Sequence, residues 1–236
     1  MTNNYMKLLG KSFTLLLIII ILSACAGHKQ AKSALPRISS AVDLELVSLA
    51  RASAENSMKA TGKLKAKDFA EQGITHANNC IKLAPSDAGC YYWRAVNTGL
   101  YHKVWVLGYQ RGVKKMIEDC NKVISLDSSY DHAGAYRILG QIYTQLPQTG
   151  GRPDSIIRDL PFAEKNLREA VRLSPDYPEN HLALADTLFA EEKPVEAKEY
   201  LAKAKSLVPD WQSDISYNDW HISMKSLEKK IAKKTK

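Results

Sequence analysis

The chain has 236 residues, of which 45% are hydrophobic and 25% charged, and its formal net charge is +8. A chain of this size supplies enough apolar surface for a large core, so it does not depend on a disulfide scaffold. The moderate positive charge favours anionic surfaces or ligands and argues against a dedicated nucleic-acid-binding protein.

The first residues carry the pattern of an export signal. Lys7 and Lys11 form a positive stretch, and residues 13–22 form an apolar run too short to cross a bilayer comfortably as a helix. The run ends in Leu-Ser-Ala followed by Cys25, which resembles the lipobox of bacterial lipoproteins. The resemblance implies that residues 1–24 are removed as a signal peptide and that the thiol of Cys25 is lipidated. The alternative is an ordinary signal peptide or a signal anchor, with Cys25 incidental.

The residues after Cys25 indicate how the chain is anchored. The residue after the cysteine is Ala26 and not an aspartate. In a bacterium with two membranes, the resemblance to lipoprotein sorting signals therefore favours the periplasmic face of the outer membrane. Residues 25–40 contain scattered Gly, Ser, Lys and Pro without an apolar period. They are predicted to form a lipidated tether with a reach of about 20 to 50 Å.

Residues 41–236 are predicted to form one all-α domain. Apolar residues recur at spacings of three and four, as in Leu167, Ala170 and Val171, and no strand-like alternation is present in the sequence. Residues 178–211 follow the spacing of a tetratricopeptide repeat of about 34 residues. Similar segments upstream give about four helical hairpins, and Ser213 to Lys234 give a terminal helix that caps the stack. Pro147 to Pro161 is an insertion with a loop composition.

Catalytic and metal-binding motifs are absent from the sequence. It contains no Gly-x-Ser-x-Gly elbow, no Walker-type phosphate loop and no His-Glu-x-x-His. The histidines show no helical pairing, which argues against a histidine-based metal site. We therefore predict a protein that is not an enzyme and that uses no cofactor. The six histidines are His28, His76, His102, His132, His181 and His221.

Lipidation of Cys25 would leave three thiols in an exported and oxidising setting. Cys80 and Cys90 flank the turn at residues 84–87, so a disulfide between two antiparallel helices is one prediction. Buried free cysteines are common in protein cores, which is the alternative. Cys120 is predicted to be a small core residue.

The densest group of candidate binding residues follows Cys90. Trp93, Asn97 and Tyr101 share one helix face at spacings of four. An aromatic stripe of this kind usually belongs to a core. The functional alternative is that Arg94 and Asn97 supply hydrogen-bond donors beside aromatic walls, which suits a small organic anion. Arg137 is a second candidate, which either pairs with a neighbouring carboxylate or faces a concave surface.

Several segments in this order resemble the T component of TRAP transporters, a TatT-like family. They are Tyr91–Asn97, Leu126–Tyr130, Tyr136–Tyr143, Leu146-Pro147 and Gly150-Gly151, and the likeness covers about residues 70–205. The resemblance implies a lipoprotein of degenerate tetratricopeptide hairpins, a homotrimer, a ligand-sized pore and a periplasmic solute-binding P subunit as partner. The ligand or pore candidates carried over are Tyr92, Trp93, Arg94, Asn97, Tyr101, Arg137 and Tyr143.

Two functions compete on this basis. The first is an accessory transporter subunit, anchored to the membrane by its lipid, which docks a solute-binding protein and passes a small organic or hydrophobic carboxylate ligand. The second is a tetratricopeptide lipoprotein adaptor for envelope or secretion-machinery assembly, with a peptide or helix in its groove.

Overall fold

The computed structural model describes residues 41–234, with side chains described from Leu44 onward. The predicted signal peptide (1–24), the tether (25–40) and the lipidation site at Cys25 lie outside these residues. The described part contains nine α-helices and no strand, which confirms the all-α prediction. The helices are α1 (Ala41–Lys59), α2 (Lys63–Leu83), α3 (Ala88–Val104), α4 (Tyr109–Leu126), α5 (Tyr130–Gln145), α6 (Leu160–Leu173), α7 (Pro178–Ala190), α8 (Pro194–Leu207) and α9 (Tyr217–Lys234).

The helices pair into four hairpins, α1/α2, α3/α4, α5/α6 and α7/α8, and each hairpin packs on the next. Local sequence sets the ends of the helices. Asp87 accepts a hydrogen bond from the Gly89 amide at 2.7 Å, and Asp159 accepts one from the Phe162 amide at 3.0 Å. These carboxylates satisfy amides that have no partner inside a helix. Pro178 and Pro194 occupy first-turn positions, where a missing amide hydrogen has no consequence.

Buried residues form two cores along the stack. The first core joins α1 to α5, and its largest members include Tyr92, Trp93 and Leu139. The second core joins α6 to α9 and includes Leu184 and Leu188. The terminal helix α9 buries one apolar face in the second core and so covers the end of the array, as the repeat pattern predicts. The buried residues of this face are Trp220, Met224, Leu227 and Ile231.

Paired helices approach closely where the repeat spacing predicts a small residue. A Cβ atom added to Gly140 would lie 2.3 Å from Cγ of Leu167, which is fully buried on α6. The predicted insertion forms the connection between α5 and α6. It is held to α4 by Gln110, whose side chain accepts from the Ile156 amide at 3.0 Å and donates to the Ile156 carbonyl at 3.1 Å.

The three cysteines of the described residues lie on α2, α3 and α4. Cys80 and Cys90 are bonded to each other across the turn between α2 and α3, with 5.5 Å between their Cα atoms. Cys120 is a free and fully buried thiol in the first core. Among the helices of residues 41–234, none is both long enough and apolar enough to cross a membrane.

Candidate functional site

The structure places the aromatic stripe of α3 in the core of the stack. Trp93 is 2% exposed, and its indole N–H donates to the Tyr130 hydroxyl at 3.3 Å. Asn97 is fully buried and donates to the carbonyl oxygens of Ala50 and Trp93, at 2.9 and 2.8 Å. Tyr101, next on this stripe, is only partly buried and lies beneath the ammonium of Lys67, 5.5 Å from its ring centroid.

The guanidinium of Arg94 has protein partners on two neighbouring helices. Nε and Nη2 donate to the two carboxylate oxygens of Asp119 at 2.8 and 2.6 Å, and Nη1 donates to Oδ1 of Asn78 at 2.9 Å. This bidentate pair joins α3 to α4, and the third bond adds α2. Tyr143 is partly buried, with its ring edge-on to Phe162 at 4.7 Å, and burial raises the pKa of its hydroxyl.

Arg137 on α5 is the centre of a buried network between α3, α5 and α7. The side chain is 1% exposed. Nη1 donates to Oδ1 of Asn180 at 2.9 Å, and Nη2 donates to the Tyr92 hydroxyl at 3.4 Å. Nη2 also lies 3.6 Å from the Asp131 carboxylate, and the guanidinium stacks over the Tyr177 ring at 4.8 Å. Of the two alternatives left open by the sequence, the structure shows a pair with a neighbouring carboxylate.

This network surrounds an unusual backbone turn at the start of α5. Asp131, His132 and Ala133 have φ values of 50°, 57° and 59°, a left-handed conformation that costs about 1–2 kcal/mol for each residue with a Cβ atom. The carbonyl oxygen of His132 accepts from Arg137 at 3.2 Å and from Nδ2 of Asn180 at 3.1 Å. Contacts from other helices therefore stabilise a turn that local preference disfavours.

Two further buried carboxyl groups are influenced by the charge of Arg137. Glu179 on α7 is 4% exposed and accepts from the indole of Trp220 at 2.9 Å and from the Gln141 amide at 3.2 Å. Burial raises its pKa, and the charge of Arg137 opposes the rise. Burial raises the pKa of Asp214 to about 7, although its carboxylate accepts from the Ser216 amide at 2.8 Å.

A cleft of about 200 Å³ opens beside this network, where α5, α7 and α9 meet. Its apolar walls include Leu182, Leu227 and the indole of Trp220. The side-chain oxygens of Gln141 and Gln145 are buried there and have no hydrogen-bond partner in the described part of the chain. The other polar lining residues are Thr144, Glu179, Asp186, Thr187, Asp219, Ser223, Ser226 and Lys230.

None of the seven ligand candidates from the sequence lines this cleft. The candidates predicted from the sequence were cations, aromatic residues and one asparagine, so they did not include the residues of this cleft. A signal was present nonetheless: Gln141, Thr144 and Gln145 share one face of a helix that was predicted to pack inside the array. Polar side chains at such positions need partners, so their presence on a packed face marks a candidate site.

Comparisons with known proteins support the fold. No family model and no curated protein matches the chain. The MamA protein matches with 16% identity and a TM-score of 0.46, over 82% of this chain and 91% of that one. A solved thermophilic TPR protein of Thermus thermophilus is similar, with 19% identity and a TM-score of 0.50, over 80% and 87%. Together with the paired helices described above, this second likeness shows the fold of a tetratricopeptide-like helical array.

Proposed function

We propose that this chain is an accessory T component of a TRAP-type transporter, anchored to the membrane through a lipid on Cys25. In this role the helical array docks the periplasmic solute-binding P subunit and takes part in the transfer of a small organic solute. The sequence features behind the proposal are the lipobox-like segment and the ordered segments from Tyr91 to Gly151. Its proposed location is the periplasmic face of the outer membrane.

The observation that carries the solute-handling role is the cleft between α5, α7 and α9. It combines apolar walls with buried amide oxygens that lack partners among the described residues, the combination typical of small-molecule sites. The interior of the array favours this role over the peptide-binding adaptor. Trp211, between α8 and α9, is buried with its ring edge-on to His132 on α5 at 5.0 Å, and its indole donates to the Asp176 carbonyl at 3.1 Å. This segment therefore covers part of the face formed by the third and fourth hairpins, which leaves less room there for an extended peptide.

The partner is tested by affinity purification of the tagged full chain from native membranes after mild crosslinking. We expect the solute-binding P subunit of a TRAP transporter among the crosslinked proteins. The matched control is Cys25→Ser, which removes the lipidation site and leaves the described helices unchanged. We expect this variant to leave the membrane fraction and to lose most of the crosslinked partner. Recovery of pilus or secretion components alone would support the adaptor function instead.

The oligomeric state provides a second test of the same proposal. The T component is expected to form a homotrimer, so light scattering of the purified chain is expected to give about three times the monomer mass. A monomer at every concentration measured would contradict this part of the proposal. It would leave the docking of the P subunit to be decided by the crosslinking experiment.

A further inference from the structure

The charged groups of the cleft are mostly acidic. Glu179, Asp186 and Asp219 line it, and Lys230 is the one cation among the described side chains that do so. The ammonium of Lys230 lies 4.0 Å from the Asp186 carboxylate, and the Lys230 side chain is 48% exposed. An anionic ligand in the cleft would therefore lie near three acidic side chains and only one cation, which is half exposed to solvent.

Two amide groups of the cleft also favour one kind of ligand. Gln141 and Gln145 are 6% and 7% exposed, and their side-chain oxygens have no hydrogen-bond partner among residues 41–234. A buried oxygen without a partner opposes folding, and a ligand that donates a hydrogen bond removes that penalty. A carboxylate only accepts hydrogen bonds, so it cannot form a hydrogen bond with these oxygens.

The remaining surface of the cleft is apolar. Leu182, Ala183 and Leu227 form its walls together with the indole of Trp220. The volume of about 200 Å³ limits the occupant to a small molecule. The guanidinium groups of Arg94 and Arg137, which would recognise a carboxylate, do not line the cleft and are bonded to protein partners.

We infer that the cleft binds a small apolar molecule whose polar end is an ammonium group or another N–H or O–H donor, and not a carboxylate. The donor end contacts the amide oxygens of Gln141 and Gln145 and the nearby carboxylates, and the apolar body lies against Leu182 and Trp220. This inference rests on the proposed function only for its biological role. The sequence led to the expectation of a carboxylate ligand, and the cleft instead favours a ligand that carries a positive charge or donates hydrogen bonds.

The test compares three probes that share one alkyl chain and differ in the end group: hexylamine, hexanol and hexanoate. Every described helix lies after residue 40, so the chain from Ala26 onward retains all contacts described above. Binding is followed by nuclear magnetic resonance at the indole N–H of Trp220, which donates to Glu179 at the cleft. We expect hexylamine to bind at least about tenfold more tightly than hexanoate, with hexanol between them.

Two variants locate the interaction. Asp186→Asn is expected to weaken hexylamine about tenfold and to change hexanol binding less than about twofold, because only the charged probe loses an ionic partner. Gln145→Leu is expected to weaken both donor probes about fivefold and to raise the melting temperature, since it removes a buried oxygen without a partner. The matched control is Asp68→Asn, because Asp68 is exposed and lies outside the cleft. We expect it to change the binding of neither hexylamine nor hexanol.

Two results would overturn the inference. One is hexanoate binding as tightly as hexylamine, and the other is an unchanged Trp220 resonance with all three probes. Neither result bears on the recovery of the P subunit by crosslinking, so the ligand class and the transporter role fail or succeed separately.

Discussion

At the scale of single residues, Arg137 on α5 forms hydrogen bonds that connect this helix to α3 and α7. Its guanidinium contacts Tyr92 on α3 and Asn180 on α7, and it lies beside the Asp131 carboxylate. A buried ion pair is not by itself a source of large net stability, because both charges lose their hydration. Loss of one partner is different, since the other charge then stays buried without compensation.

We expect Arg137→Met to lower the free energy of unfolding by about 3–5 kcal/mol, measured by urea denaturation. Asp131 would lose its buried cation, and the left-handed turn would lose the hydrogen bond from Arg137 to the His132 carbonyl. Arg168→Met is the control, because Arg168 pairs with Glu164 and Glu196 on the surface and is 42% exposed. Arg168→Met is expected to lower the free energy of unfolding by only about 0–1 kcal/mol. An equal decrease in the two variants would contradict the central role of Arg137.

The sequence singled out Arg137 but could not identify its partners. Asn180 is 43 residues away, and Tyr92 is 45 residues away. Local pattern defines which face of a helix is apolar, and the partner of a buried cation depends on how hairpins stack. The glutamines of the cleft share a helix face that is visible in the sequence, but their lack of partners emerges only when α9 closes over α5 and α7.

Asp214 is expected to make stability depend on pH. Its pKa is about 7 in the folded chain against an ordinary value of 3.8, so the folded state binds this proton more tightly. The contribution to stability is complete below about pH 4 and is lost as the pH rises through 7. Urea denaturation is expected to show roughly 3–4 kcal/mol less stability from this group at pH 8 than at pH 4.

The variant Asp214→Asn isolates that contribution, because other buried carboxyl groups such as Glu179 also titrate. The difference between the wild-type and variant curves is expected to grow between pH 4 and pH 8. Asp127→Asn, at an exposed residue, serves as the control and is expected to keep the wild-type change of unfolding free energy with pH. If Asp214→Asn also kept the wild-type change with pH, the prediction would be contradicted.

At the scale of helices, the repeat architecture could be predicted almost completely. Periodic apolar residues and the repeat spacing predicted four hairpins and a capping helix from Ser213, and the structure has all of them, with the capping helix beginning at Tyr217. These signals are local, because a helix is defined by contacts between residues three and four apart. The backbone reversal at Asp131, His132 and Ala133 was not predicted, since these residue types usually adopt right-handed helix.

The close packing of α5 on α6 yields a prediction about Gly140. Gly140→Ala is expected to lower the free energy of unfolding by about 1–3 kcal/mol, because the new methyl group would meet the buried Leu167 side chain. Gly151→Ala is the matched control, since no atom lies within 4 Å of its added Cβ. We expect it to change stability by less than about 1 kcal/mol in urea denaturation. Similar losses in both variants would rule out the packing explanation.

At the scale of the whole molecule, α9 closes both the second core and the cleft. Deletion of residues 213–236 would expose the apolar face of α7 and α8 that Trp220, Met224, Leu227 and Ile231 now cover. We expect the shortened chain to bind a hydrophobic dye and to form aggregates on size-exclusion chromatography, as arrays without a cap do. A shortened chain that stays monomeric and unfolds cooperatively would show that α9 is not needed as a cap.

The left-handed turn at the start of α5 has a consequence for the order of assembly. Its His132 carbonyl accepts hydrogen bonds from Arg137 within its own helix and from Asn180 in the next hairpin, and Asp131 bonds to Tyr92 in the hairpin before. The turn therefore depends on contacts from the hairpins on both sides. In an ideal solenoid each repeat contacts only its neighbours and folding can start anywhere, whereas here we expect the third hairpin to reach its final backbone only once the second and fourth hairpins are in place.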